Sequence, residues 1–194
     1  KQIMIRIAVV GEIGSGKSYA SRLFGFPVFN ADKEVIKIYK KDRKAYQKIK
    51  KKLPNHFFSF PIRKEQIVRA VNKNTRNLKK ISKIIHPLVR KNMKVFLRKN
   101  RKKKAIVLDI PLYFENNLNK KGDVIIFIST KKKLIYSALL KRRKSNIKLL
   151  KKLGKLQKSL KMKKEKADYV IKNDFKSGKL KKKVKIIKNK IFNK

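Results

Sequence analysis

The sequence contains no cysteine. Disulfides and cysteine-ligated zinc are therefore excluded, and a reducing, cytoplasmic setting is the resulting expectation. Acidic residues are also scarce: 11 Asp and Glu stand against 59 Lys and Arg, a formal charge of +48. Long apolar runs are missing. The longest near the centre is Val124 to Ile128, far short of a membrane span, so no membrane partner is expected. No apolar stretch at the start leads to a small-residue cleavage site, and a secretory leader is not expected. There is no internal repeat, and the Lys bias is the only low-complexity feature. What remains is 194 residues, 41% of them hydrophobic, enough for one domain with a proper core and too few for two large ones.

The charge admits two readings. A strongly basic surface attracts polyanions, and nucleic acid is the obvious one. The excess, however, is almost all Lys, accompanied by much Ile and Asn, and it is spread along the chain instead of forming one block. That is the pattern of compositional drift in an AT-rich coding sequence, and it allows only non-specific nucleic-acid binding. Against such drift the few acids are informative. Several, among them Asp32, Asp109, Asp123 and Asp168, sit at strand ends or beside apolar runs, where the loops of an α/β protein carry function.

Hydrophobic periodicity places buried strands at Ile3 to Val10, Phe26 to Phe29, Ala105 to Ile110, Asp123 to Ser129 and Asp168 to Ile171. Helical patterns fill the intervals: Gly16 to Phe24, residues 33–52, Ile62 to Val71, Asn74 to Ile85, a further helix opened by Pro87, Lys131 to Lys144, residues 146–166, and Ser177 to Phe192. Alternating strands and helices predict an α/β fold with a five-stranded parallel sheet covered on both faces. The helical tract between the second and third strands is too long for a simple crossover and reads as an inserted subdomain. The expected organisation is a single domain over residues 1–194 with a helical insertion at about 42–100.

Gly11-Glu12-Ile13-Gly14-Ser15-Gly16-Lys17-Ser18 fits G-x-x-x-x-G-K-[ST] at every fixed position, between a predicted strand and a predicted helix. The glycines let successive backbone N–H groups point at one anion, and the helix start adds its dipole. Lys17 can bridge the outer phosphates, and the Ser18 hydroxyl can ligate Mg²⁺. Gly14, Ser15, Gly16, Lys17, Ser18 and the adjoining Tyr19 are expected to bind ATP. Asp32 follows the second strand, where a carboxylate could take the proton of an acceptor hydroxyl or, alternatively, cap the helix behind it. Asp109 ends the third strand and is a second candidate for Mg²⁺. No Asn-Lys-x-Asp motif for reading a guanine base is present.

Five segments in order resemble the dephospho-CoA kinase family: the phosphate loop, Asn30-Ala31-Asp32, Ile84-Ile85-His86-Pro87-Leu88-Val89-Arg90, Asp109-Ile110-Pro111-Leu112-Tyr113-Phe114-Glu115, and Ala167-Asp168-Tyr169-Val170-Ile171-Lys172-Asn173. The resemblance implies a P-loop NTPase-type three-layer fold in which the helical insertion at about 42–100 binds the acceptor and a helical lid occupies about 138–166. It implies ATP-dependent phosphorylation of the ribose 3′-hydroxyl of dephospho-CoA, with Mg²⁺. Asp32 would be the base; Arg63, His86 and Arg90 would lie on the acceptor side; Arg142 would belong to the lid; and Asn173 would sit near adenine. His86 and Asn173 also admit plain readings as a helix cap and a turn residue. The chain departs from the family pattern at Asn30, in place of its first Asp, at Ala138, where a lid Arg is usual, and at Arg143, in place of an acid; Gln157 matches. Another P-loop small-molecule kinase, for a nucleoside, nucleotide or shikimate-like alcohol, is the rival reading, and a basic nucleic-acid-binding P-loop protein is the more distant one.

Overall fold

A computed structural model describes residues 4–141 and 159–193. The chain divides into two compact units, Lys1–Asn30 with Asn100–Lys194, and Ala31–Lys99.

The first unit is built on five parallel strands, β1 (Ile5–Gly11), β2 (Val28–Asn30), β3 (Ala105–Asp109), β4 (Val124–Ser129) and β5 (Tyr169–Lys172), in the order β2-β3-β1-β4-β5. All five predicted strands are present, with ends shifted by no more than two residues. Their β-branched runs suit a sheet buried on both faces, because successive side chains alternate sides. Ile7 and Val9 therefore join Val107, Ile126, Ile128 and Ile171 on one face, under α1 (Lys17–Leu23) and the final helix, Ser177–Phe192. That last helix presents Leu180, Val184, Ile187 and Ile191, the residues its periodicity singles out. Ala8, Val10, Ile106, Leu108, Ile125 and Phe127 are buried on the opposite face.

The strand order creates a place for a ligand. From β1 the chain moves outward to β2 and returns to β3, then crosses to β4 on the far side. Connections leave the carboxyl ends of β1 and β3 in opposite directions, which opens a crevice there.

The second unit is helical: α2 (Ala31–Lys41), α3 (Arg43–Lys52), a 3₁₀ turn at Pro54–His56, α4 (Lys64–Lys73) and α5 (Arg76–Lys99). Its core gathers Ile38, Ile49, Leu53, Phe57, Ile62, Ala70, Ile81 and Ile85. Two expectations are corrected here. The single helix expected over 33–52 is two, because Asp42 takes an extended backbone and its carboxylate accepts from Ala45 N at 2.8 Å, capping α3. The helix expected to begin at Pro87 is instead the second half of α5, which runs through it for 24 residues. Proline removes one intrahelical hydrogen bond, but Ile81, Ile85, Leu88 and Val89 from both sides of it bury in one core, and their packing outweighs that loss. His86 is consequently mid-helix, not a cap. Of the loop aromatics, Phe57 is fully buried, Phe58 is exposed, and the Phe60 ring lies 5.7 Å from that of Tyr46.

Burial pushes the Tyr39 phenol in this unit up from 10.0 to about 12. The folded state therefore prefers the neutral form. The resulting stability is complete below pH 10 and is lost as pH rises toward 12. Tyr39→Phe should flatten the fall of the unfolding midpoint over that window, measured against the parent in denaturant titrations at stepped pH.

Candidate active site

The site of the first unit grows from the carboxyl end of β1. Gly11 has φ of 144°, and a Cβ there would stand 2.6 Å from the Ile128 carbonyl oxygen of β4, so only glycine lets the loop leave the sheet at this point. Gly16, at φ 90°, opens α1, and a side chain there would collide with the Asn173 amide. Hydrogen bonds from within the loop and from neighbouring strand ends fasten the segment between them. Ser15 N donates to Glu12 O at 3.1 Å, while Thr130 Oγ1 and Asn173 Nδ2 donate to Ser15 O at 3.1 and 2.8 Å. Thr130 follows β4 and Asn173 follows β5, so two neighbouring strand ends hold the loop in shape.

Lys17 is only 6% exposed, and its Nζ donates to Glu12 O at 2.7 Å across the loop. A neutral carbonyl is among the partners of this ammonium, an interaction that an anion can replace. Ser18 and Tyr19 are exposed on the first turn of α1. Asp109, at the end of β3, is 2% exposed. The residue paired with it on β2 is Asn30, whose Nδ2 makes a short hydrogen bond to Asp109 Oδ2 and donates to Ser18 Oγ at 3.4 Å. One amide thus joins a hydroxyl and a carboxylate from two separate segments. Both are hard oxygen donors, as Mg²⁺ requires. Among the described residues no cluster of three or more His, Asp or Glu forms a closed metal cage. An open pair of this kind fits a cation that is also held by substrate phosphates.

The segment after Asp109 is anchored from below. Glu115 Oε1 receives the Nζ of Lys163 at 2.7 Å, and the same Nζ donates to Pro111 O at 3.4 Å. Lys163 lies on the short helix α7 (Leu160–Glu165), after α6 (Lys132–Leu140), and its side chain is fully buried. The last helix, Ser177–Phe192, is α8. Removing one member of a buried pair leaves the other charge uncompensated, a loss of about 3–5 kcal/mol. Lys163→Met should therefore cost about 3 kcal/mol in chemical denaturation. Adding Glu115→Leu should restore part of that, since the two residues act as one unit.

The second unit carries the other sequence-derived candidates. Asp32 is exposed on the first turn of α2, and Arg63 is exposed at the residue preceding α4, where its backbone N–H donates to Gln66 Oε1 at 2.8 Å. His86 and Arg90 are one helical turn apart on α5 and share a face. The structure thus brings Gly14, Ser15, Gly16, Lys17, Ser18, Asp109 and Asn173 together in one unit and Asp32, Arg63, His86 and Arg90 in the other. Arg142 lies outside the described residues.

The dephospho-CoA kinase family profile matches residues 5–179. The chain belongs to the dephospho-CoA kinase family. Dephospho-CoA kinase of Brucella melitensis is 31% identical over 144 residues, 72% of this chain and 71% of the relative. That of Bartonella quintana is 31% identical over 170 residues, 85% and 87% of the two chains. Dephospho-CoA kinase from Campylobacter jejuni shares the fold, with a TM-score of 0.63 at 22% identity over 97% of this chain and 98% of that one. So does TT1252 from Thermus thermophilus, with a TM-score of 0.77 at 20% identity over the same shares. Family membership makes the chain a nucleotide-using kinase with the P-loop three-layer fold.

Sequence reasoning missed several members of the constellation. Asn30 was visible only as a departure from the family, because its bridging role depends on the β2–β3 register. Thr130 had no motif to mark it. Lys163 was indistinguishable among so many lysines.

Proposed function

We propose that this chain transfers the γ-phosphoryl group of ATP to the ribose 3′-hydroxyl of dephospho-CoA, the last step in making coenzyme A. The observation that carries this reading is the extent of the family match, which takes in the phosphate loop and the whole of the helical unit, 31–99.

In this reading the N–H groups of Gly14 to Ser18 cradle the phosphates, and Lys17 exchanges Glu12 O for the outer phosphate oxygens. Ser18 Oγ and the Asp109 carboxylate would hold Mg²⁺, Asp109 directly or through water. The ion supplies charge neutralisation on the phosphates. Asp32 accepts the proton of the 3′-hydroxyl as its oxygen bonds to the γ-phosphorus and the bond to the β,γ-bridging oxygen breaks, releasing ADP. Arg63, His86 and Arg90 present donors to the phosphates of the acceptor, and Arg142 stabilises charge on the transferring group. Asn173, which fastens the loop through Ser15 O, sits near the adenine in this reading. Residues 42–100 form the acceptor-binding insertion and 138–166 the lid.

No helix among the described residues is long and apolar enough to cross a membrane. The +48 charge contributes long-range attraction for an anionic acceptor, and only non-specific attraction for nucleic acid. A substrate panel tests the assignment. Turnover with ATP should be fastest on dephospho-CoA, with nucleoside monophosphates and shikimate poor. Preference for a nucleoside monophosphate would move the chain to the rival reading.

A further inference from the structure

In the helical unit, Ala31–Lys99, the acidic residues are Asp32, Glu34, Asp42 and Glu65. Asp42 caps α3, and Glu65 is exposed in the first turn of α4. Both have the ordinary role of an acid at a helix start. Glu34 also stands in a first turn, that of α2, yet its carboxylate reaches another helix. Its side chain is 16% exposed, and Oε1 pairs with Lys37 Nζ at 2.6 Å. Oε2 accepts from Asn92 Nδ2 of α5 at 3.2 Å. The Lys37 contact is local, one turn along α2, with its ammonium largely in solvent, and such pairs hold little. The Asn92 contact joins residues 58 apart in sequence.

Its place on the two helices gives it a task. The apolar core draws on Val35 and Ile38 from α2 and on Ile85, Leu88 and Val89 from α5. Glu34 and Asn92 lie just past Val35 and Val89. The polar contact therefore extends the seam toward the start of α2, the turn that carries Asp32. Apolar contact is non-directional, whereas a hydrogen bond fixes an angle. A helix turns about 100° per residue, so Asp32 and Glu34 leave α2 about 200° apart. With Glu34 fixed on α5, the rotation of this turn about its axis is set, and so is the direction of the exposed Asp32. We propose that Glu34, through Asn92, is a positioning residue for phosphoryl transfer, holding the first turn of α2 so that the Asp32 carboxylate meets the acceptor hydroxyl. The inference rests on the reading of Asp32 as the base and adds what keeps that base in line.

The test is steady-state kinetics of the full chain with ATP and dephospho-CoA, beside thermal melts. A misplacement of ~1 Å can cost about 10²-fold, so Glu34→Ala and Asn92→Ala should each lower kcat by about 10- to 10²-fold. KM for ATP and the melting temperature should change little. The double variant should be no slower than either single one, since both remove the same contact. Lys37→Ala should leave kcat within about twofold of the parent. Asn92→Asp sets two carboxylates face to face and should also lower kcat. Adding Glu34→Gln exchanges donor and acceptor and should bring kcat back to within about threefold of the parent. In the Asp32→Asn background, Glu34→Ala should alter the residual rate by less than about twofold, because it acts through Asp32. Unchanged kcat in the Ala variants, losses that add, or a further loss in the Asp32→Asn background would overturn the proposal. So would a fall in ATP affinity or melting temperature that parallels kcat, which would make the contact a support of the fold alone. Unchanged kcat in Asp32→Asn itself overturns the underlying reading of the base, and the proposal with it.

Discussion

Lys17→Ala should lower kcat by about 10²–10³-fold or more, the loss expected when one pre-placed cationic donor to developing phosphoryl charge is removed. The geometry makes the prediction specific. Lys17 is buried, and its Nζ rests on Glu12 O at 2.7 Å, so the charge is poised over the loop before any ligand arrives. Little rearrangement is needed when phosphate displaces the carbonyl. The loop is fastened mainly through Ser15 O by Thr130 and Asn173, neither of which needs the ammonium. The variant should therefore fold with a nearly unchanged melting temperature while losing turnover and affinity for ADP. Lys17→Arg should not rescue it, because a planar fork does not substitute for a compact point charge in a loop of this curvature. Steady-state kinetics with ATP and dephospho-CoA, beside thermal melts, provide the check. Turnover within about threefold of the parent would remove Lys17 from the chemistry, since a loss that small is far below the range for a pre-placed charge.

Asp32→Asn should reduce kcat by about 10²–10⁴-fold, the range for loss of a general base, with ATP affinity unaltered. Asp32 also sits in the first turn of α2, where a carboxylate favours the helix dipole by about 0.3–1 kcal/mol. The two roles separate cleanly. Asparagine keeps the size and capping capacity of the side chain but cannot accept the proton. A drop in kcat with a stability change under about 1 kcal/mol identifies the base. A small stability loss with intact kcat would reduce Asp32 to a helix-terminal acid.

The contrast between what could and could not be read from the chain has physical causes. The five strands were legible because short uninterrupted apolar runs such as Ala105 to Leu108 have few alternatives, and α8 because its four core residues repeat at helical spacing. The phosphate loop was legible because its backbone demands particular residues in sequence. Helix boundaries in the second unit were not. Asp42 breaks a Lys-rich helical pattern through one hydrogen bond, and Pro87 fails to break one because tertiary packing on both sides outweighs it. Contacts that depend on register or on distant pairing left no local trace, as with Asn30 on Asp109 and Lys163 on Glu115. In a chain with 59 basic residues, charge identity alone cannot nominate a functional lysine or arginine. For the acceptor side, family resemblance nominated Arg63, His86 and Arg90.

The most direct measurement is phosphorus NMR of dephospho-CoA incubated with ATP, Mg²⁺ and the purified chain. The account predicts a new phosphomonoester resonance on the ribose 3′-oxygen, appearing in step with ADP and absent when Mg²⁺ is chelated. ATP consumption without that resonance, or phosphate delivered to another acceptor in preference, would contradict it.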